Sequence, residues 1–464
     1  MKTIHLFSAT LAIILFSVVN PLSAEISQKS DTLKYRILLS DKSATTFSLQ
    51  HPEAFLSTKA IARRTRQHLS IDSTDIPVCD KYIEEISKQG VKIVAKGKWN
   101  NFVTVSCNNP QKIEKIKKLH FVRSAELVWR RPSKYSPSPD KRDSLINVMT
   151  KSDSIYGASL KQIKLCNGIK LHDSGYRGKG MVIAIIDAGY HNADAITGLK
   201  NTHILGTHDF VDPHSDIFAK SHHGLAVLSI MGMNMPHYMI GSAPEASFWL
   251  LRSEDEESEN IVEQDYWSEA IEFADSVGVD VVNSSLGYYV YDDTTKNMRF
   301  CDLDGNSCLI SKEASMVASK GIILVNSAGN TGSGPWKKIS VPADAKDILT
   351  VGATHDTGIL ASFSSIGNSA DGRIKPDISA MGFYDAVMGT NGTITHGNGT
   401  SFSSPLMCGL VACLWQAYPK LTAKQLMEII RLSGDRAECP DNIYGYGIPD
   451  MWKAYQLAKN YKSM

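Results

Sequence analysis

Short, uninterrupted apolar runs alternate with longer stretches of helical periodicity from about residue 181 onward. The runs are 181–186, 247–251, 279–282, 322–325 and 349–351. Strands that are apolar on both faces, with helices between them, are typical of a parallel sheet covered by helices on both sides. The pattern therefore predicts an α/β domain of this kind, with its active site at the carboxyl ends of the strands.

The preceding part of the chain has a different pattern of shorter elements. It predicts strands at 35–39, 91–94, 102–106 and 122–128, and helices at 83–88 and 111–119. Two strand-helix-strand units in succession predict a small α+β, ferredoxin-like domain. A stretch rich in Pro, Ser and basic residues, near 130–142, is typical of an exposed linker that proteases cut. We therefore predict a first domain at 25–150, which includes this linker, and a second at 151–464.

The first 24 residues have the layout of a secretory signal peptide. Lys2 precedes an apolar run from about residue 6 to 19, and Ala24 ends a short segment suited to cleavage. An uncleaved signal anchor is the alternative. No later run approaches the roughly 20 apolar residues that a membrane helix needs. We therefore expect an exported protein, periplasmic or secreted, with no membrane span after cleavage.

Composition excludes some classes of partner. The chain has 464 residues, 43% of them hydrophobic, which is enough for one large core and a smaller domain. Lys and Arg (49) nearly balance Asp and Glu (48), so the broad positive field of a non-specific nucleic-acid binder is missing.

Eight cysteines permit disulfides in an exported chain, and the turn-rich loop between Cys301 and Cys308 leaves a bridge between them open. Cys408 and Cys413 fall in an apolar helical stretch, which favours core positions.

Ser401 lies in the most specific segment, Gly-Thr-Ser-Phe-Ser-Ser-Pro at 399–405, just before an apolar helical run. A serine at a loop-to-helix junction lies beside the unpaired N–H groups of the first helical turn, which stabilise negative charge. An acyl-transfer nucleophile needs such surroundings. The alternative is an ordinary helix-capping serine.

Three further segments offer partners for such a nucleophile. Asp187 ends the apolar run at 181–186 and could orient a histidine, although a turn aspartate is the alternative. His222 and His223 precede Gly224 and an apolar helix, where a histidine could act as general base. This pair could instead bind metal, but no His-Glu-x-x-His pattern or cysteine cluster accompanies it. Asn330 follows the run at 322–325 and could donate to an oxyanion or simply form a turn.

The order Asp187, His223, Asn330, Ser401, each in its own segment, resembles the subtilisin family of serine peptidases. The resemblance extends from about residue 156 to the C-terminus. It implies that Asp187, His223 and Ser401 form a catalytic triad and that Asn330 and the Ser401 N–H form the oxyanion hole. It also selects His223 over His222, because the catalytic histidine of the family directly precedes a glycine.

The same resemblance implies where a polypeptide substrate binds. Two segments would line the peptide-binding edges and the first specificity pocket, with the substrate docking as an added strand: Ser285, Leu286 and Gly287, and Ser327, Ala328 and Gly329. Two positions depart from the family pattern, since Leu225 stands where a Thr is usual and Ala188 where a Ser or Thr is usual. Neither departure removes a catalytic atom, but both remove hydroxyls from the surroundings of the triad.

The expected function is that of a secreted serine endopeptidase made as a precursor. The resemblance implies an acyl-enzyme mechanism, a propeptide at 25–150 that acts as an intramolecular inhibitor, and no cofactor for catalysis; structural calcium is left open. A non-catalytic, peptide-binding member of the family is one alternative. The sedolisin type, which uses a Glu as base, is another, and the His223-Gly224 segment argues against it.

Overall fold

The computed structural model describes residues 32–131 and 142–461, so the predicted signal peptide and most of the predicted linker lie outside the described residues. The first described part begins with β1 (Leu33–Leu39), α1 (Thr58–Arg66) and α2 (Asp80–Ser87). It continues with β2 (Lys92–Gly97), β3 (Phe102–Cys107), α3 (Pro110–Ile116) and β4 (Val122–Arg130). The predicted α+β character is confirmed.

These strands form one antiparallel sheet in the order β2-β3-β1-β4. Its core contains Ile37 and Val105 from the strands and Ile86 and Ile116 from α2 and α3. The sequence pattern did not predict α1, because this helix carries charge on nearly every turn. Its buried residues include two arginines, Arg63 and Arg64, whose partners lie elsewhere in the chain.

The second part has the following elements in chain order. They are α4 (Leu160–Leu165), α5 (Ile169–Asp173), β5 (Val182–Asp187), β6 (His203–Asp209), α6 (His223–Gly232), β7 (Asn234–Met235), β8 (Met239–Ile240), β9 (Ser247–Arg252), α7 (Val262–Val277), β10 (Val281–Ser284), α8 (Leu309–Met316), β11 (Ile323–Ser327), β12 (Leu349–Thr354), β13 (Ile378–Met381), β14 (Phe383–Met388), β15 (Ile394–Asn398), α9 (Thr400–Ala417), α10 (Ala423–Leu432) and α11 (Met451–Asn460).

Seven of these strands form a parallel sheet in the order β13-β12-β11-β10-β5-β9-β6. Both faces are covered. Ile183 and Ile185 of β5 belong to the core beneath α6 and α9, whereas Ala184 and Ile186 belong to the core beneath α7 and α8. This alternation explains why the strand is apolar at every position, and it confirms the predicted fold class.

The first domain packs on the α7 face of this sheet. Trp99 and Trp129 share a hydrophobic core with Trp267 of α7. The carboxylate of Glu272, also on α7, accepts the backbone N–H groups of Lys98 and Trp99, both at 2.7 Å. Apolar contact and charge-assisted hydrogen bonds therefore both hold the two domains together.

All eight cysteines lie in the described residues, and none forms a disulfide. Cys301 and Cys308 are therefore unpaired here, and the thiol of Cys308 donates to Ser311 Oγ at 3.1 Å instead. Cys408 and Cys413 are fully buried in α9, in line with the core positions expected for them.

In residues 32–131 and 142–461 no helix combines the length and apolar character that a membrane crossing requires.

Candidate active site

The structure brings the four candidate catalytic residues to one edge of the parallel sheet. Asp187 ends β5, and Asn330 follows β11, two places away in the sheet. His223 is the first residue of α6 and Ser401 the second of α9, so both lie where helices begin above this edge. The carboxyl ends of parallel strands and the N-termini of the following helices share this edge, as α/β topology requires.

Asp187 and His223 form a hydrogen-bonded pair. Nδ1 of His223 lies 2.8 Å from Oδ1 of Asp187, and the same oxygen accepts the N–H of Ala188 at 2.8 Å. The carboxylate is fully buried, whereas the imidazole is 30% exposed. Burial alone would lower the pKa of His223, but the Asp187 carboxylate and the more distant Glu256 and Glu254 raise it above its usual value. The aspartate thus stabilises the imidazolium form.

The second oxygen of Asp187, Oδ2, is buried without a hydrogen-bond partner among the described residues. Ala188 is one of the two departures from the family pattern, and a Ser or Thr there would carry a hydroxyl close to this carboxylate. Asp187 Oδ2 thus lacks a hydrogen-bond donor in the described structure, and the adjacent residue, Ala188, is the one at which the family pattern has a hydroxyl. Leu225, the second departure, is fully buried in the core beneath α6.

Gly224 allows α6 to approach the strand end that carries Asp187. A Cβ atom at this position would lie 2.4 Å from the carbonyl oxygen of Gly189. Any larger residue would push the start of α6 away from the β5 loop and lengthen the contact between His223 and Asp187. The glycine after the histidine is thus explained by packing.

His222, in contrast, is exposed and lines a cavity of about 360 Å³ together with Ala188 and Glu256.

Ser401 is 9% exposed in the first turn of α9. Its hydroxyl donates to the carbonyl oxygen of Ser285 at 3.3 Å, and no hydrogen bond joins it to the His223 ring in the described structure. Its own carbonyl oxygen accepts from Ser285 Oγ at 2.9 Å. These two bonds fix the start of α9 against the loop that follows β10.

Asn330 is oriented through its carbonyl oxygen. Oδ1 accepts the backbone N–H of Thr400 at 2.9 Å and the Thr400 hydroxyl at 3.0 Å. Its amide nitrogen, Nδ2, donates to no protein atom among the described residues, and the side chain is exposed. Thr400 fixes the orientation of the Asn330 amide, and Nδ2 remains available next to the first turn of α9. This arrangement can bind an oxyanion.

Sequence reasoning missed two further residues that position this site. Ser404 Oγ donates to Oδ1 of Asn283 at 2.8 Å, and Nδ2 of Asn283 donates to Ser285 Oγ at 3.0 Å. All three side chains are buried. A buried Asn inside an apolar strand was the available signal, since a buried amide requires partners.

The two predicted substrate-binding segments differ in whether their backbone N–H and C=O groups are already hydrogen-bonded. Gly287 is exposed, and neither its N–H nor its C=O forms a hydrogen bond within the described residues, while Tyr288 already pairs with Val341. By contrast, the N–H of Ala328 bonds Val351, and the N–H of Gly329 bonds the Thr400 hydroxyl at 3.1 Å. Only the first segment thus offers free backbone groups. Ser285 and Leu286 are buried beside it, and Ser327 is buried at the end of β11.

An acidic loop follows β9 on the same side of the molecule. Glu256 accepts the Ser221 hydroxyl at 2.5 Å, and Glu254 accepts the Tyr288 hydroxyl at 2.7 Å. Burial raises the pKa of Glu254, and the charges of Asp187 and Glu256 raise it further, whereas the Tyr288 hydroxyl and His223 lower it. The loop therefore adds negative potential next to the Asp187–His223 pair.

Comparison with known proteins identifies the family. The family model described as "Subtilase family" matches residues 178–447, more than half of the chain. The chain belongs to the subtilase family. A second model, of the peptidase S8 propeptide domain of Bacteroidota, matches residues 34–143. The protein is thus a subtilisin-like serine peptidase that carries a propeptide domain, and the recognition made from its motifs is confirmed.

Curated relatives of this subtilase include Subtilisin DY of Bacillus licheniformis, which is 28% identical over 297 residues, covering 63% of this chain and 97% of the relative. The Minor extracellular protease Epr of Bacillus subtilis (strain 168) is 28% identical over 280 residues, covering 59% of this chain and 38% of the relative. The solved structure of MycP1 with its N-terminal propeptide removed aligns with a TM-score of 0.51 at 22% identity, covering 64% of this chain and 96% of that chain. This last similarity shows the shared fold.

Proposed function

We propose that this subtilase is an endopeptidase that hydrolyses peptide bonds through an acyl-enzyme formed on Ser401. The observation that carries the proposal is the 2.8 Å contact between His223 Nδ1 and Asp187 Oδ1, at the sheet edge where Ser401 begins a helix. A base held by a buried carboxylate near a helix-terminal serine is the arrangement that acyl transfer uses.

In the proposed reaction, His223 Nε2 takes the hydroxyl proton of Ser401 while Oγ attacks the scissile carbonyl. The hydroxyl first turns from Ser285 O toward the imidazole, since catalytic hydrogen bonds commonly tighten only with substrate bound. The imidazolium then gives its proton to the leaving amine, and the acyl-enzyme forms. Water, deprotonated by His223, hydrolyses the ester and restores Ser401.

Charge that develops on the carbonyl oxygen would be bound by Asn330 Nδ2 and the Ser401 N–H. Support comes from the free Nδ2 and from the two Thr400 bonds that hold Oδ1 of the same amide. Every proton transfer uses protein groups and water, so we propose that the catalytic steps need no cofactor.

We propose that the polypeptide substrate pairs with the chain at Gly287, whose backbone groups are free and exposed. Addition of a strand to an unpaired edge supplies backbone hydrogen bonds independent of side-chain identity. Ser327, Ala328 and Gly329 would then contribute to the wall of the first specificity pocket.

We propose that the N-terminal domain inhibits the peptidase domain until the chain is cut near 130–142. Its last strand, β4, leads toward the acidic loop, where Trp129 Nε1 donates to Ser258 Oγ at 3.5 Å. The chain therefore leaves the N-terminal domain beside the acidic loop that also contains Glu254 and Glu256. Export by the N-terminal segment fits such a zymogen, and one relative is named an extracellular protease.

Covalent labelling tests the proposed nucleophile. We expect a serine-directed fluorophosphonate to label the processed protein at Ser401 alone, as read by mass spectrometry of the labelled peptide. The probe reports an activated serine and does not require the substrate to be known. Labelling of another residue, or none after removal of residues 25–150, would favour a non-catalytic, peptide-binding protein. An acidic pH optimum would instead revive the sedolisin-type alternative.

The charge of Glu256 is expected to move the acid limb of the pH profile to higher pH, in addition to the larger effect of Asp187. Hydrolysis needs the neutral imidazole, so the rate rises as the pH increases through the pKa of His223. Burial lowers this pKa, but Asp187 and, to a smaller extent, Glu256 raise it, and the net result is a pKa above the usual value. Glu256→Gln removes one raising effect and should shift the acid limb of kcat/KM to lower pH, most clearly at low ionic strength. Glu438→Gln, an exposed carboxylate outside this loop, is the control; identical limbs in both variants would contradict the prediction.

A further inference from the structure

Three glutamates converge at the junction between the acidic loop and α7. Carboxylate oxygens of Glu254, Glu259 and Glu263 all lie within 4.8 Å of one another. Glu254 and Glu259 belong to the loop after β9 and are half-buried, whereas Glu263 is in the first turn of α7 and is fully buried. The cluster is not used in any step of the proposed hydrolysis.

Glu263 is the unusual member. Both of its carboxylate oxygens are buried and accept no hydrogen bond in the described structure. None of the ion pairs among the described residues involves Glu254, Glu259 or Glu263. A buried carboxylate requires compensation, by a proton, by a cation or by hydrogen-bond donors. The nearby half-buried Lys34 donates to the Tyr266 hydroxyl and forms no ion pair with Glu263, so a proton or a cation remains as the compensating group.

We propose that Glu254, Glu259 and Glu263 form a binding site for one divalent calcium ion. Two oxygens that bind the same Ca²⁺ at about 2.4 Å each can lie up to about 4.8 Å apart. The carboxylate oxygens of the three glutamates all lie within 4.8 Å of one another, so one ion can contact all three. The donor set consists of three carboxylates, whose hard oxygen ligands and negative charge favour a divalent ion such as Ca²⁺, and it includes no thiolate or imidazole. This site rests on the geometry of the acidic cluster and is independent of the roles assigned to Ser401 and His223.

Calcium suits the site better than magnesium or a basic substrate side chain. Calcium accepts six to eight oxygens in flexible geometry, so glutamates that bind through one or two oxygens, together with water, satisfy it. Magnesium demands a rigid octahedron. Glu263 is fully buried and the other two glutamates are half-buried, which favours a compact ion over the bulkier side chain of a Lys or Arg.

The bound ion would connect two sides of the proposed cleft. Glu254 also accepts the hydroxyl of Tyr288, which directly follows Gly287 of the proposed substrate edge. The ion therefore holds the acidic loop and the start of α7, and through Glu254 it reaches the segment at 285–287. Without an ion, burial raises the pKa of all three carboxyl groups, and the charge of Glu254 raises the pKa of Glu259 and Glu263 further, so protonation of the cluster is favoured instead.

The test uses the full-length chain with Ser401→Ala, so that processing does not complicate the measurement. Thermal unfolding is followed in chelator and in millimolar Ca²⁺, with Glu263→Gln compared with Glu257→Gln. Glu257 is exposed in the same loop and outside the cluster, so it matches the change in charge. Terbium luminescence provides a second measurement, because Tyr288 lies next to the site and sensitises a bound Tb³⁺ that Ca²⁺ displaces.

We expect Glu263→Gln to alter stability mainly when Ca²⁺ is present. In chelator the variant should melt close to the temperature of the parent, because the ion-free parent holds a proton on this buried carboxyl group and Gln is likewise neutral. In Ca²⁺ it should gain less than the parent and the Glu257→Gln control, with affinity at least about tenfold weaker. If Glu263→Gln fails to fold, Glu259→Gln serves for the same comparison. Equal calcium responses in cluster and control variants, or no response in the parent, would overturn the proposal and leave a proton-bound cluster.

Discussion

Ser401→Ala is expected to reduce peptide hydrolysis by roughly 10⁶-fold and to leave the precursor uncut. The expected size is the one observed for loss of the nucleophile in subtilisin, a relative of this protein. The variant removes the only atom that forms the acyl-enzyme, while α9 keeps its other contacts with β10 through Ser404 and Asn283. Turnover of a fluorogenic peptide and the intact mass of the purified chain measure the two effects.

Two neighbouring variants make this result specific. Ser403→Ala removes another hydroxyl in the same helical turn and should keep near wild-type turnover, because among the described residues this hydroxyl bonds only the carbonyl of Thr400, at 3.0 Å. Asn330→Ala should lower kcat by about 10²–10³-fold with little change in KM, a range that again derives from subtilisin. Hydrolysis or self-cleavage that persists in Ser401→Ala at the level of Ser403→Ala would refute the assignment of the nucleophile.

The sequence could locate the candidate active-site residues because each lies beside a strongly apolar element, but their roles were implied by the resemblance to the subtilisin family. Asp187 ends a strand that is buried on both faces, and Ser401 begins a helix that is buried along most of its length. Such strands and helices have little freedom in where they begin and end. The parallel topology then brings their ends to one edge of the sheet. His223 was chosen over His222 by resemblance, and the packing of Gly224 against Gly189 now gives that choice a physical reason.

Other features depend on contacts between distant segments and had no local signal. β6 lies at the edge of the sheet with alternating exposure, so its sequence is too polar for a buried strand. The buried arginines of the charged helix α1 have their partners in the peptidase domain, far away in the sequence. Likewise, the run of acidic residues at 254–259 reads as a solvated loop, and the complete burial of Glu263 is visible only in three dimensions.

Asp275 connects α1 to the peptidase domain through a buried ionic network. Its Oδ1 accepts Arg63 Nη2, and its Oδ2 accepts Arg64 Nη2 at 3.0 Å, with all three side chains at most 1% exposed. Arg64 also bonds Asp75 at 2.6 Å. Burial would raise the pKa of Asp275, but Arg63, Arg64 and Lys98 hold it below its usual value, so the carboxylate is ionised at neutral pH.

Asp275→Ala is therefore expected to lower the free energy of unfolding by about 3–5 kcal/mol, because it leaves two buried guanidinium groups without their shared carboxylate. Urea unfolding of the Ser401→Ala precursor measures the loss, and the N-terminal domain should separate first. Asp194→Ala is the matched control, since it breaks an exposed ion pair with Arg142 at 2.9 Å and should cost less than about 1 kcal/mol. Equal losses in the two variants would mean that hydrophobic packing around Trp99 and Trp129 holds the domains together and that the buried charges contribute little. A larger loss for Asp275→Ala would show that this buried network contributes to the contact between the two domains.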